Sequence, residues 1–306
     1  MSNNKVAVLF LIFNRKDHAL EALKYIKEYK PLHFYIAADG PRYNKEGEEK
    51  ACAETRTAVL NAIDWDCEVR TLFRSSNLGC AEAVNGAINW FFETEEKGII
   101  IEDDVLVSMD FYRMCEDLLE RYSDVDKVME ISARNESYRT DINNSYVYAQ
   151  CYHCWGWATW RRAWKLMDMT MSATNKLSAM YLIKRLGWFR GLMMRHRFKV
   201  AYNNIENLSS WATRWYLSIL NHDGLVICPG VNLSINIGID GGAHYQSGDE
   251  NPYKRLKIGK IVWPLVYNDV LLPDKSQTKY DNKEYLRLRW IGAKKKLKKM
   301  IRKGNK

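Results

Sequence analysis

Residues 98–104 read GIIIEDD, an apolar run that passes without a break into Glu102, Asp103 and Asp104. Three consecutive isoleucines behind a glycine are the pattern of a short strand buried on both faces of a parallel sheet. Acids at its exit then stand at the carboxyl edge of that sheet, where open α/β folds bind ligands. Three carboxylates so close repel one another unless something positive lies between them. Hard oxygen donors suit Mg²⁺ or Mn²⁺ shared with a phosphate. The competing account is an acidic loop capping the helix that FYRMCEDLLERY predicts just downstream.

Upstream, the chain alternates strand and helix. A strand at 6–13 leads through Asn14 to an amphipathic helix at 16–29, with Ala19, Leu23 and Ile26 on one face, and Pro31 ends it. HFYIAAD is a second strand stopping at Asp39-Gly40-Pro41-Arg42, a turn by composition. EEKACAETRTAVLNAI and CEVRTLF repeat the unit as helix and strand, ending at Arg74, Asn77 and Gly79, and residues 80–96 return as a helix into GIIIEDD. Such alternation predicts an α/β fold with a mostly parallel, Rossmann-like sheet flanked by helices and joined by right-handed crossovers. Asn14 and Arg15, Asp39 and Arg42, Arg74 and Asn77, and Glu102 to Asp104 then all fall on one edge. Cations and anions together there fit a nucleotide. FNRKDH at 13–18 is neither GxGxxG nor a Walker A loop, so phosphate charge has to be met by a metal and arginines rather than a glycine-rich nest.

Composition bounds the rest. At 306 residues and 47% hydrophobic content the chain buries a full core. The stretch MSNNKVAVLFLIFNR is too short to span a bilayer, which takes roughly 20 apolar residues, and reads as the first core strand. Seven scattered cysteines argue against a disulfide framework and for a reducing compartment, so a cytoplasmic location is expected. Net charge is +9, concentrated in KEYLRLRWIGAKKKLKKMIRKGNK at 283–306, a basic and partly amphipathic helix. It is either a solvated tail or a segment lying peripherally on an anionic membrane surface. No basic stripe accompanies a nucleic-acid motif, so nucleic acid is not an expected partner.

The order of ADGPR, RSSNLGC, a helix with NWFF, and IIIEDDVLVSMDFYRMCEDLLERY resembles nucleotide-sugar glycosyltransferases of the GT-A fold. It looks closest to a bacterial group related to the family-two transferases, and more distantly to the mannosyl-glycoprotein N-acetylglucosaminyltransferases, whose metal motif is also EDD. CWGWATWRRAW at 154–164 looks like a signature of that bacterial group. The resemblance spans about residues 5–245. It implies a catalytic domain at 1–245, with a donor half at 1–135 and an acceptor half at 136–245, followed by a C-terminal extension at 246–306.

The same resemblance implies that Asp39 hydrogen-bonds the base and that Asp104 ligates Mn²⁺ or Mg²⁺. Glu102 and Asp103 would contact sugar and ribose or orient metal-bound water. His244, in NIGIDGGAH at 236–244, matches a late metal histidine of many GT-A enzymes, with glycines letting the loop approach the diphosphate. The implied activity is sugar transfer from a nucleotide-diphosphate sugar, UDP-sugar favoured, to a glycan or glycolipid hydroxyl in bacterial polysaccharide or lipopolysaccharide assembly. Related families carry an acid near a Trp motif as the base, whereas SSWATRWY at 209–216 has Ser210 and Ala212 there. Asp240 is the first substitute and Glu206 the second. Trp155, Trp157, Trp160 and Trp164 divide between packing and an acceptor platform, and Arg161 and Arg162 are candidates to meet phosphate. The lone Cys151/Cys154 pair lacks a zinc-spaced partner. The alternatives are an inactive nucleotide-sugar-binding scaffold and a sugar nucleotidyltransferase, although FNRKDH is not the glycine-rich loop the latter needs.

Overall fold

The computed structural model describes residues 5–304 except 138, 140, 141, 143, 152 and 239–255. In the first third, β1 (Val8–Ile12), α1 (Lys16–Tyr29), β2 (His33–Ala38), α2 (Glu48–Asn61), β3 (Glu68–Phe73), α3 (Cys80–Thr94) and β4 (Lys97–Glu102) alternate strictly. Then follow β5 (Val105–Val107), α4 (Met109–Arg121), β6 (Val128–Ser132), β7 (Tyr146–Ala149), β8 (Trp157–Trp160) and the single turn α5 (Arg161–Trp164). The remainder comprises α6 (Ala179–Leu186), α7 (Trp188–Asn203), α8 (Trp211–Asn221), β9 (Leu225–Pro229), β10 (Ser234–Asn236) and α9 (Lys275–Gly304).

Among the described residues eight strands form one sheet in the order β3-β2-β1-β4-β8-β6-β9-β7, and β5 with β10 makes a separate ribbon. β1 pairs in parallel with β2 and β4, and β2 with β3, as the alternation predicts. β8 runs antiparallel between β4 and β6, and β7 antiparallel beside β9. The fold is therefore the expected mixed α/β sheet, mostly parallel, flanked by helices.

Alternate residues of the buried strands feed two cores. Val8, Phe10 and Ile12 of β1 and Ile99 and Ile101 of β4 pack with α1 and α4 on one face. Leu9, Leu11 and Ile100 pack on the other with α3 and α8. That period of two on strands without polar positions is why both strands read as continuous apolar runs. Gly98 admits the edge of α3: a Cβ there would lie 2.2 Å from the Phe91 ring.

The tryptophan-rich segment is core. Trp155, Trp157, Trp160 and Trp164 are all at most 9% exposed, so none forms an exposed platform for an acceptor. Trp157 stacks on Trp211 with centroids 5.4 Å apart, and Trp164 lies 5.1 Å from Trp215. Two of the indole N–H groups are met inside, Trp215 Nε1 donating to Glu130 at 2.7 Å and Trp164 Nε1 to Asn89 at 2.8 Å, while Trp157 Nε1 has no hydrogen-bond partner among the described residues. Arg161 donates to the carbonyls of Thr94 and Glu95, and Arg162 to those of Tyr122, Ser123 and Val128. The two arginines thus satisfy carbonyls left open where α3 and α4 end, instead of facing a phosphate.

The start of α9 docks on this body. Asn282 donates to the Leu186 carbonyl at 2.7 Å, and Arg139 pairs with Asp274, just before the helix, at 2.7 Å. Among the described residues no helix is long and apolar enough to cross a membrane.

Because Trp157 joins strand β8 to Trp211 and Trp215 of helix α8 and also packs on Trp164, Trp157→Ala is expected to cost about 3–5 kcal/mol. Urea unfolding checks this, and a loss below about 1 kcal/mol would show that the indole layer is not the joint between sheet and helix.

Candidate active site

At the end of β4 the chain turns through Asp103 and Asp104 and returns as β5, which pairs antiparallel with β10, distant in sequence. This ribbon places residues 236–238 over Asp104. The Asp104 carbonyl accepts from Ile237 N at 2.8 Å. Its carboxylate accepts from Arg15 Nη1 at 2.9 Å on one oxygen and from Asn236 Nδ2 at 2.9 Å on the other. Gly238 closes the contact, since a Cβ there would come within 2.1 Å of Asp104 Oδ2 and 2.9 Å of Arg15 Nη1. Only glycine permits this approach.

Three carboxyl groups meet one guanidinium here. Burial, then the charges of Asp104 and Asp103, push the Glu102 carboxyl up to about 8, against Arg15 and a hydrogen bond with Trp211. Burial and Asp104 push Asp103 up to about 7, opposed by Arg15 and the Phe13 backbone N–H. These are acids short of counter-charge. An all-oxygen acidic set with that deficit fits a divalent cation in charge and donor type. Among the described residues no group of three His, Cys, Asp or Glu is placed so as to hold a metal ion together. Such a cation would therefore be held chiefly by Asp104 and share its other positions with water and phosphate, the usual habit of Mg²⁺.

Around this cluster the loops after β1, β2 and β3 interlock. Asp39 accepts from Gly40 N at 2.9 Å and Leu78 N at 3.0 Å on one oxygen, and from Asn77 Nδ2 at 2.9 Å and Gly79 N at 3.1 Å on the other. Gly40 lies so tightly on Ser76 that a Cβ would fall 2.3 Å from its backbone. Arg56 donates to the carbonyls of Asp39 and Arg74 at 2.9 and 2.7 Å. The Arg74 guanidinium lies against α3, 2.7 Å from where a Cβ of Gly86 would stand. Arg42 and Asn14 share a partner the sequence did not single out, Glu48. Arg42 Nε donates to it at 2.9 Å, Arg42 N at 2.7 Å and Asn14 Nδ2 at 3.0 Å.

The remaining candidates separate. Glu206 is exposed on a short turn at 205–207. Asp240 and His244 lie outside the described residues, two and six positions after Gly238. Ser210, in the place of the hoped-for acid, caps α8 by accepting from Thr213 N at 3.2 Å. Sequence reasoning missed Asn236 and Arg56 along with Glu48; only the glycines of 236–244 signalled a close approach.

No protein-family profile and no curated protein matches this chain. Solved structures similar to it include a mannosyltransferase from Pyrobaculum calidifontis in complex with GDP-Man and Mn²⁺, at 13% identity and TM-score 0.37 over 72% of this chain and 74% of that one. Mouse xyloside xylosyltransferase 1 shares 9% identity over 70% of this chain and 81% of its own, with TM-score 0.34. A cytidylyltransferase from Leptospira borgpetersenii shares 12% identity over 67% and 74%, with TM-score 0.31.

Glu48 generates a pH-dependent prediction. Hydrogen bonds from Arg42 lower its carboxyl from an ordinary 4.5 to about 2. A pKa below its unfolded value contributes stability that is present above about 4.5 and lost as pH falls toward 2. Glu48 is 6% exposed but Arg42 47%, so solvent screens the pair and its contribution is about 1 kcal/mol. Glu48→Gln should be less stable than wild type by that amount at pH 7 in urea unfolding, with the gap closing below pH 4.5. A gap independent of pH would refute the assignment.

Proposed function

We propose that this chain is a metal-dependent glycosyltransferase of GT-A type that moves a sugar from a nucleotide-diphosphate sugar to an acceptor hydroxyl. The observation that carries the reading is the carboxylate cluster Glu102–Asp104, clamped to Arg15 at the sheet edge where the loops after β1, β2 and β3 also gather. In this reading Asp39, whose carboxylate already accepts from four donors, orders with Asn77 the loop that walls the base in place of the direct bond to the base that the resemblance implies, and Arg15 and Arg74 supply positive charge toward the diphosphate. Asn14 and Arg42, tied to Glu48, brace that wall. Glu102 and Asp103 face the sugar and ribose, and Asp104, with His244, holds the cation.

A divalent cation at that position supplies Lewis-acid stabilisation of the charge that develops on the leaving diphosphate. The acceptor oxygen forms its bond to the anomeric carbon as the bond to the diphosphate breaks, and the acceptor proton passes to a carboxylate. Asp240, four residues before His244 in the sequence, is the first candidate for that base and Glu206 the second. UDP-sugar is the favoured donor, and bacterial polysaccharide or lipopolysaccharide assembly in the cytoplasm the setting. Peripheral membrane contact through α9 is supported by Leu286 and Trp290, 45% and 60% exposed, beside Lys294, whose ammonium lies 3.4 Å from the Trp290 ring centroid.

Titration of UDP, GDP and CMP by calorimetry, with Mn²⁺ or with chelator, tests the reading. One nucleotide should bind in a Mn²⁺-dependent manner, and Asp104→Ala should weaken it at least tenfold while the melting temperature stays within a few degrees. Absence of nucleotide binding under every condition, or an Asp104→Ala protein that binds as wild type, would exclude it.

A further inference from the structure

A cavity of about 650 Å³ lies among Cys151, His153, Cys154, α7, α8 and the start of α9. Small-molecule sites span roughly 300–1,000 Å³. None of the residues assigned above to the donor or the cation lines it. It nevertheless lies toward the carboxylate cluster. Cys154 belongs to its wall and stands three residues before Trp157, which pairs with Ile100 two positions before Glu102. Thr213 also lines it, two residues after Trp211, which hydrogen-bonds Glu102.

Charge distinguishes this cavity from an ordinary gap. Arg134 pairs with Glu136, and Arg287 with Glu284, so these cancel. Burial, with Arg134 and Arg190 nearby, holds the His153 imidazole well below its usual value, so it adds no charge. Arg190, Arg197 and Lys283 then face a single further carboxyl, Asp281, which burial pushes up. Arg190 is 6% exposed, its Nη2 donates to Cys151 Sγ, and its Nε has no hydrogen-bond partner among the described residues. Arg197 and Lys283 are exposed and have no ion pair among the described residues. Tyr280 and Tyr285 line the same space.

Resting on the transferase reading, we infer that this cavity receives the acceptor and selects one that carries an anionic group, a phosphate or a carboxylate, beside a sugar ring. Arg190, Arg197 and Lys283 hold the anion by charge-assisted hydrogen bonds. The tyrosine faces accept the apolar side of the ring. The Cys154 wall then turns the acceptor hydroxyl toward Glu102 and the donor.

Ligand-observed NMR on the full chain with mannose 6-phosphate, glucuronic acid and methyl mannoside tests this. At least one anionic probe should bind tenfold or more tighter than methyl mannoside, and whichever binds better identifies the anion. Arg197→Ala with Lys283→Ala, both exposed and so tolerated by the fold, should remove that preference. Equal binding of the neutral sugar, or an unchanged preference in the double variant, would overturn the inference while leaving nucleotide binding as the separate test of the transferase reading. Anion preference in a chain that binds no nucleotide would overturn the acceptor role and leave an anion site alone.

Discussion

Three carboxyl groups at the end of a strand buried on both faces cannot stay side by side without an arrangement that tolerates their repulsion. Here the arrangement joins residues far apart in the sequence. Arg15 at the start of the first helix and Asn236 at the end of the last strand each hold one oxygen of Asp104. The β5–β10 ribbon exists on this account to bring the second of these to the first, and Gly238 is the residue that lets it close. Burial, and then the remaining excess of negative charge, raises the Glu102 and Asp103 carboxyls above the usual carboxylate range. A cation with a diphosphate is the ligand that would offset it.

The rest of the molecule makes this edge rigid. Both faces of β1 and β4 are sealed, so their carboxyl ends cannot shift independently. Asp39 spends its carboxylate on four donors from neighbouring loops. That is a structural use of an acid, and it fixes the path of residues 77–79 as packing alone would not. Glu48 does the same for the loop after β2. The indole layer of Trp157, Trp164, Trp211 and Trp215 couples the sheet to α8, whose first residue reaches Glu102. Site and core therefore share a side chain, Trp211.

The strictly alternating first third was legible in the sequence because its strands are short apolar runs and its helices are amphipathic. The strand at 33–39 and the helix at 16–29 differ from the structure by one residue at most. Asp104 was legible as a charge pattern, and the glycines after 236 as a backbone pattern. WATW was not legible as a strand, since indoles serve equally in a core and on a sugar platform; the deciding contacts come from α8, more than fifty residues away. Arg161 and Arg162 misled for a related reason. Guanidinium groups bind carbonyls at helix ends as readily as phosphate, and composition does not separate the two. Glu48 and Asn236 gave no signal because their partners are set by tertiary approach rather than by spacing along one element.

The claim that the whole arrangement exists to place a cation against Asp104 is tested most directly by anomalous scattering at the manganese edge from crystals grown with Mn²⁺ and a nucleoside diphosphate. A single strong peak within coordination distance of the Asp104 carboxylate is expected, with the diphosphate ordered beside it. A peak elsewhere on the chain, or an ordered nucleotide with no manganese at Asp104, would contradict it.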